Sequence, residues 1–162
     1  MAHIIGFTGY SDSGKTTVVS RLISILKRRG YRVASIKHAA HGYDMDIPGK
    51  DSWHHFTAGA DQVMVAGPDS FTIHERLPQP PRLSELIERM AGVDYILVEG
   101  FKEEAVHKVE VIREDKDPNP FTRPDELLAV ISDTPIDKGV PCFQLNRLEE
   151  LADYVTKLFP AP

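Results

Sequence analysis

The segment that decides the fold is residues 9–17, with the sequence Gly9-Tyr10-Ser11-Asp12-Ser13-Gly14-Lys15-Thr16-Thr17. It matches the complete G-x-x-x-x-G-K-[ST] spacing of a phosphate-binding P-loop. A short apolar run precedes it at residues 4–7, and apolar side chains recur with helical spacing after it, so it joins a buried strand to an amphipathic helix. The alternative is a glycine-rich turn that binds nothing. The order of strand, loop, Lys-Thr and helix favours a nucleotide-phosphate site.

The residue types in this loop are those that phosphate binding requires. Gly9 and Gly14 allow the backbone to turn tightly, so that successive N–H groups point into a phosphate, and the start of the helix adds partial positive charge. Lys15 is expected to contact the β- and γ-phosphates, and the Thr16 hydroxyl to take one Mg²⁺ position. The other loop residues that we predict to bind nucleotide are Ser11, Asp12, Ser13 and Thr17.

Composition limits the classes of protein to consider. The 162 residues are 41% hydrophobic and 27% charged, which is typical of one soluble globular domain over residues 1–162. The net charge of −5 provides no basic field for nucleic acid. The single Cys142 forms no internal disulfide, and no apolar run approaches the roughly 20 residues that span a bilayer. We expect a cytoplasmic protein with no nucleic-acid or membrane partner.

Strand and helix patterns alternate along the chain, which predicts an α/β fold: a parallel-sheet P-loop NTPase fold with a small antiparallel hairpin insertion. Strands are predicted at residues 4–7, 32–37, 62–66, 71–74, 95–98, 107–112, 127–131 and 142–145. Helices are predicted after Lys15, at 53–58 with Ser52 as the N-cap, from Ser84 to Gly92, and at 148–159. Residues 114–124, which are charged and proline-rich, are predicted to form an exposed loop.

Polar side chains follow several of the predicted parallel strands, where such sheets bind ligands. They are Lys37, His38, Glu99, Lys102, Ser132, Asp133 and Asn146. Glu99 follows the most apolar strand, as a Walker-B acid does, so we predict that it holds Mg²⁺ through water or orients the attacking water, with Lys15 as the other catalytic residue. The alternative for Glu99 is a solvated acid that begins a loop.

A long polar loop follows the second predicted strand. We predict that His41, Asp46, Lys50 and Asp51 form a switch or substrate loop together with Lys37, His38 and Lys102. The His38-x-x-His41 spacing also permits a transition-metal site, but contact with phosphate or substrate is favoured.

The residues alone leave the choice of base open. The Asn-Lys-x-Asp element that many GTPases use for guanine is absent. Asp133 follows a strand at a place where an acid accepts from the N1 and N2 hydrogens of guanine, and Asn146 follows the last strand. Each is equally plausible as a turn or N-cap residue, so guanine and adenine are close to an even choice.

Taken together, the motifs resemble the MobB family of molybdopterin-guanine dinucleotide biosynthesis. The matching pieces are the P-loop, residues 36–41, Asp44, Asp46, residues 48–52, residues 58–60, residues 97–102, residues 108–110 and Ser132-Asp133. The resemblance runs over essentially the whole chain. Two features depart from it: Asp12 stands where the family usually has glycine, and Gly42 replaces an acidic residue.

The resemblance implies a homodimeric GTP-binding protein with weak GTPase activity, and it favours guanine as the base. Such proteins act beside the guanylyltransferase that attaches GMP to molybdopterin, and with other molybdenum-cofactor proteins. We expect Asp12 to weaken nucleotide binding, since a carboxylate brings like charge towards the phosphates. The alternatives are a P-loop small-molecule kinase and a non-catalytic nucleotide-binding adaptor.

Overall fold

A computed structural model describes residues 2–44, 46–104, 106–113 and 122–161 of the chain. The chain divides into two compact units, one of residues 1–38 with 83–162 and the other of residues 39–82. The described part of the larger unit holds a six-stranded sheet, and the smaller unit holds a two-stranded sheet. A single nucleotide-binding domain over residues 1–162 stays a prediction.

The order of elements confirms the predicted alternation. The strands are β1 (His3–Thr8), β2 (Val33–Lys37), β3 (Gln62–Ala66), β4 (Phe71–Glu75), β5 (Tyr95–Glu99), β6 (Lys108–Ile112), β7 (Leu127–Ser132) and β8 (Cys142–Phe143). The helices are α1 (Lys15–Arg28), α2 (Asp51–Thr57), α3 (Leu83–Glu88) and α4 (Leu148–Leu158). Among the described residues, no helix is long and apolar enough to cross a membrane.

The sheet of the larger unit has the order β2-β5-β1-β6-β7-β8, and every pair in it is parallel. All the carboxyl ends of its strands therefore lie at one edge, with β1 between β5 and β6. This arrangement confirms the predicted parallel α/β fold. The loop that follows β1 is the P-loop, so it begins at the middle of that edge.

Successive side chains of the central strands pack on opposite faces of the sheet. Phe7 and Leu97 belong to the cluster that includes the buried side chains of α1 and α4. Ile96 and Val98 belong to a second cluster with α3. Burial on both faces explains why β5 is apolar throughout rather than alternating. The strand is thereby fixed in position up to Glu99, its last residue.

The smaller unit contains α2 and the antiparallel hairpin of β3 and β4, which confirms the predicted hairpin insertion. The predicted cap of α2 is wrong. The helix begins at Asp51 with Lys50 as its N-cap and without a side-chain cap. Ser52 instead donates its hydroxyl hydrogen to Asp46, six residues earlier.

Other differences from the predicted elements lie at their ends. β8 has two residues rather than the predicted four, and Glu99 belongs to β5 instead of following it. The loop predicted over residues 114–124 lies mostly outside the described residues.

Candidate functional site

The P-loop has the backbone geometry that its glycines predict. Gly9 has a φ of 144°, and a Cβ there would lie 2.4 Å from the carbonyl oxygen of Val111 on β6. Gly14 has a φ of 93° and is the N-cap of α1. No side chain caps that helix and its first turn carries no acidic residue, so its first N–H groups are available to an anion.

Lys15 is held by the loop itself. Its ammonium group donates to the carbonyl oxygens of Gly9, at 3.2 Å, and Tyr10. Burial lowers the pKa of Lys15, the negative charge of Glu99 opposes that effect, and the positive charge of Lys102 adds to it. A partly desolvated ammonium bonded to neutral carbonyls gains from exchanging them for a phosphate.

Thr16 and Glu99 meet at the edge of the sheet although they are 83 residues apart. The Thr16 hydroxyl lies 3.0 Å from Oε1 and 3.1 Å from Oε2 of Glu99, and donates to this carboxylate. Lys37, at the end of β2, lies 3.6 Å from Oε1. Mg²⁺ is bound in phosphate sites by one or two such oxygens together with substrate phosphates, so this donor set fits Mg²⁺.

A cavity of 330 Å³ lies beside the sheet edge, lined by Arg21, Asp133, Gln144, Leu145 and Asn146. The two residues predicted to read the base, Asp133 and Asn146, therefore line one space. That space offers a carboxylate, two side-chain amides and a guanidinium, which are groups that pair with the edge of a base. Which of them contacts a base stays a prediction.

Arg113 is a site residue that the sequence analysis missed. It directly follows β6 and lies between the P-loop and the cavity: its Nε is 3.4 Å from the carbonyl oxygen of Ser13, and its Nη1 is 3.6 Å from Oδ2 of Asp133. The rule that selected Glu99 and Asp133, a polar residue just after a parallel strand, selects Arg113 as well.

Two P-loop residues have unusual environments. Asp12 is exposed and has a φ of 59°, the left-handed region that glycine prefers and that aspartate tolerates better than most residues. Ser13 is 2% exposed, and within the described ranges its hydroxyl is the one buried side-chain polar atom without a hydrogen-bond partner. The nucleotide contacts predicted for these residues, and for the exposed Ser11 and Thr17, stay predictions.

The residues predicted as a switch or substrate loop fall in both units. Lys37, His38 and Lys102 belong to the larger unit. His38 stacks on Phe101, with ring centroids 4.4 Å apart. Phe101 has a φ of 50°, a strained value for a bulky residue, and a Cβ on Gly100 would lie 2.7 Å from the Cβ of His38.

The remaining switch residues, His41, Asp46, Lys50 and Asp51, belong to the smaller unit. The Ser52 hydroxyl and the Ile47 N–H, 2.7 Å from Oδ1, donate to Asp46 and hold the pKa of its carboxyl below the usual value. The Asp46 carboxylate therefore binds two groups of its own loop. Within the described part of the chain, no group of three or more His, Cys, Asp or Glu side chains is placed to hold a metal ion.

Comparison with known proteins gives a consistent result. The family model described as molybdopterin guanine dinucleotide synthesis protein B matches residues 4–133. The molybdopterin-guanine dinucleotide biosynthesis adapter protein of Haemophilus influenzae is 37% identical over 155 residues, which cover 94% of this chain and 86% of that protein. The protein of the same name from Escherichia coli is 37% identical over 167 residues, covering 97% and 93%.

Solved structures agree with the sequence comparison. The crystal structure of MobB from Bacillus subtilis has a TM-score of 0.80 and 25% identity, and covers 99% of both chains. A crystal structure of molybdopterin-guanine biosynthesis protein B has a TM-score of 0.75 and 29% identity, and covers 96% of this chain and 98% of that one.

Proposed function

The chain belongs to the MobB family, and from this premise we propose that it is an adapter of molybdopterin-guanine dinucleotide biosynthesis that binds Mg-GTP and hydrolyses it slowly. It would act beside the guanylyltransferase and other molybdenum-cofactor proteins. The curated relatives carry the adapter role in their names. The GTP, the Mg²⁺ and the hydrolysis are proposed from the site geometry and the resemblance of the motifs. The cytoplasmic location expected from the sequence also stays a prediction.

The observation that carries the proposal is the meeting of Thr16 with Glu99 beside the P-loop. A P-loop alone binds phosphate. A hydroxyl from the start of α1 and an acid from the end of the neighbouring strand add the two protein oxygens that a P-loop NTPase uses around its metal. The cavity lined by Asp133 and Asn146 supplies a place for a base at the same edge of the sheet.

Each residue has a defined task in this proposal. Lys15 exchanges its bonds to the Gly9 and Tyr10 carbonyls for bonds to the β- and γ-phosphates. Thr16 and Glu99 would hold Mg²⁺, which would neutralise charge that develops on the phosphate oxygens. Both oxygens of Glu99 accept from Thr16, and Lys37 lies close to one of them.

The exposed apolar side chains of the hairpin support the proposed homodimer. Met64 pairs with Ile73 and Ala66 with Phe71 across the two strands, so the four side chains share one face. Met64 is 63% exposed and Phe71 is 66% exposed. Adjacent large apolar side chains on a surface mark an interaction site, and we assign this face to a second copy of the chain. Light scattering of the wild type and of Phe71→Asp tests this assignment, with a dimer expected for the first and a shift to monomer for the second.

Titration calorimetry with Mg-GTP and Mg-ATP, followed by phosphate release over many turnovers, tests the nucleotide part of the proposal. We expect GTP to bind more tightly than ATP, and slow phosphate release without any acceptor. Formation of GDP only in the presence of an added acceptor, with the γ-phosphoryl group on that acceptor and no free phosphate released, would identify a small-molecule kinase instead. Binding without GDP formation, with or without an acceptor, would identify a non-catalytic adaptor.

A further inference from the structure

We infer that Arg113 couples the phosphate site to the base cavity, so that filling the P-loop frees Asp133 to accept from guanine. The inference rests on the proposed GTP binding and assigns a positioning role to a residue that the proposal does not use. It explains why the acid expected to read the base pairs with an arginine that also contacts the P-loop.

The geometry places one guanidinium against both halves of the site. Nε of Arg113 donates to the carbonyl oxygen of Ser13 at 3.4 Å, and Nη2 lies 3.5 Å from the position that a Cβ on Gly14 would occupy. Nη1 lies 3.6 Å from Oδ2 of Asp133. Arg113 thus contacts the loop that binds phosphate and the acid that lines the cavity.

The pairing with Asp133 is easily exchanged. At 3.6 Å the ion pair is longer than a hydrogen bond, and the side chains of Arg113 and Asp133 are 42% and 47% exposed. Ion pairs with this exposure are weak because water screens the charges. A triphosphate beside Gly14 carries several negative charges and matches the planar guanidinium, so it competes well with one carboxylate.

Release of Asp133 changes what the cavity selects. While Arg113 neutralises this carboxylate, guanine gains little from donating its N1 and N2 hydrogens to it. Once the guanidinium turns to phosphate, the free carboxylate accepts both hydrogens through charge-assisted bonds. Phosphate therefore raises the affinity for guanine and, by reciprocity, guanine raises the affinity for phosphate. Adenine offers only one amino group at that edge, so its coupling to phosphate is smaller.

The two halves of GTP can be supplied separately to test the coupling. Guanosine is titrated into the full chain, followed by NMR, with and without saturating inorganic tripolyphosphate. In the wild type we expect tripolyphosphate to raise guanosine affinity about 5- to 10-fold, a usual size for coupling between sites. In Arg113→Ala we expect tripolyphosphate to leave guanosine affinity unchanged. Without tripolyphosphate, guanosine should bind this variant more tightly than the wild type. Arg113→Lys keeps a cation and restores part of the coupling.

A matched control breaks another arginine–aspartate pair. Arg32→Ala removes the partner of Asp94 at the opposite edge of the sheet and should keep the wild-type coupling. Coupling that persists in Arg113→Ala, or that is absent from the wild type, overturns the inference. Guanosine binding that weakens in Arg113→Ala by the same factor with and without tripolyphosphate shows that Arg113 only supports the structure of the cavity. That result also overturns the inference.

Two further titrations separate this inference from the proposed function. GTP titrated into the wild-type sample reports on nucleotide binding alone, whatever the coupling. Adenosine titrated in the same way should show the smaller coupling, and equal coupling for adenosine and guanosine contradicts the selection of guanine by the freed Asp133 and overturns the inference.

Discussion

The arginine–aspartate pairs at the two edges of the parallel sheet differ in how tightly they are held. At the amino edge, the Arg32 backbone N–H and guanidinium donate to Asp94, at 2.7 and 2.9 Å, and the Tyr95 hydroxyl donates to the carbonyl oxygen of Phe159 at 2.6 Å. At the carboxyl edge, Asp12 and Phe101 have positive φ values. The Arg113–Asp133 pair there is longer, at 3.6 Å.

From this difference we expect the amino edge to contribute mainly to stability and the carboxyl edge mainly to ligand binding. Short bonds at the amino edge hold the strand starts, and the hydrogen bonds from Arg32 keep the pKa of the Asp94 carboxyl below its usual value. Backbone strain and easily exchanged contacts, such as those at the carboxyl edge, are typical of a binding site whose remaining interactions are made by the ligand. Substitutions at the carboxyl edge should therefore change binding, and those at the amino edge should change stability.

The largest expected effect is that of Lys15→Ala. Loss of a charged donor to two phosphates should weaken GTP binding about 100-fold or more. The melting temperature should stay the same or rise slightly, because burial disfavours the charged form of Lys15, as its lowered pKa shows. Calorimetry and thermal melting check both results. Lys27→Ala, in the last turn of the same helix, is the control and should bind normally. Unchanged GTP affinity in folded Lys15→Ala would contradict the P-loop assignment.

Glu99→Gln should separate hydrolysis from binding. The amide keeps the shape of the side chain but loses the charge that holds Mg²⁺, so turnover should fall about 100-fold while GTP affinity changes little. Phosphate release under saturating GTP measures the first quantity and calorimetry the second. Glu103→Gln, on an exposed side chain four residues later, serves as the control. Wild-type turnover in Glu99→Gln would leave Glu99 as an ordinary acid at a strand end.

Asp133→Ala tests base selection at the cavity. Two charge-assisted bonds to guanine are lost, so the ratio of GTP affinity to ATP affinity should fall about 10-fold. Competition titrations with both nucleotides measure this ratio, and Asp137→Ala, on an exposed acid in the following loop, should leave it unchanged. If the ratio persists in Asp133→Ala, another lining residue reads the base, and Asn146→Ala is the next variant to measure.

Tyr95→Phe tests the amino edge. Loss of the hydrogen bond to the Phe159 carbonyl should lower the free energy of unfolding by about 1 kcal/mol and leave GTP affinity unchanged. Burial raises the pKa of Tyr95 from 10.0 to about 12, so its stabilising contribution is complete below pH 10 and is lost as the pH rises through 12. Denaturant unfolding at several pH values should show this loss of unfolding free energy at alkaline pH in the wild type and not in Tyr95→Phe. A GTP affinity that falls with stability would contradict the separation of the two edges.

Most residues of the candidate site were selected from the sequence because the relevant signals are local. The P-loop spacing places Lys15 and Thr16, and the end of an apolar strand places Glu99. Parallel strands then bring their carboxyl ends to one edge without further information. The cavity shared by Asp133 and Asn146 follows from the same rule.

Other features depend on contacts that no local pattern contains. The cap predicted at Ser52 is wrong because Asp46 takes the Ser52 hydroxyl instead. The left-handed backbone of Phe101, beside the stacked His38, has no sequence signal, since a bulky residue predicts the opposite. Arg113 directly follows the strand predicted at residues 107–112 and so carried the same signal as the other polar residues after strands, but it was not selected.

The smallest expected effect is that of Asp12→Gly. The Asp12 carboxylate is close enough to Lys15 for its charge to raise the pKa of that ammonium, so it also acts on a bound triphosphate. Asp12 is exposed, however, and water screens its charge, which limits the cost to about 1 kcal/mol or less and the gain in Asp12→Gly to about fivefold. The gain should be larger at low salt, where screening is least.

Asp12→Asn distinguishes the two possible origins of that gain. Asparagine keeps the tolerance for a φ of 59° and removes only the charge, whereas glycine also removes the backbone strain. If charge is the cause, both variants should bind GTP more tightly than the wild type and by the same factor, and this gain should shrink as the salt concentration is raised. If backbone strain is the cause, only Asp12→Gly should gain, by the same factor at each salt concentration. Unchanged or weaker binding by both variants at two ionic strengths would show that the carboxylate does not act on the phosphates, and the glycine usual in the family would then carry no advantage at this position.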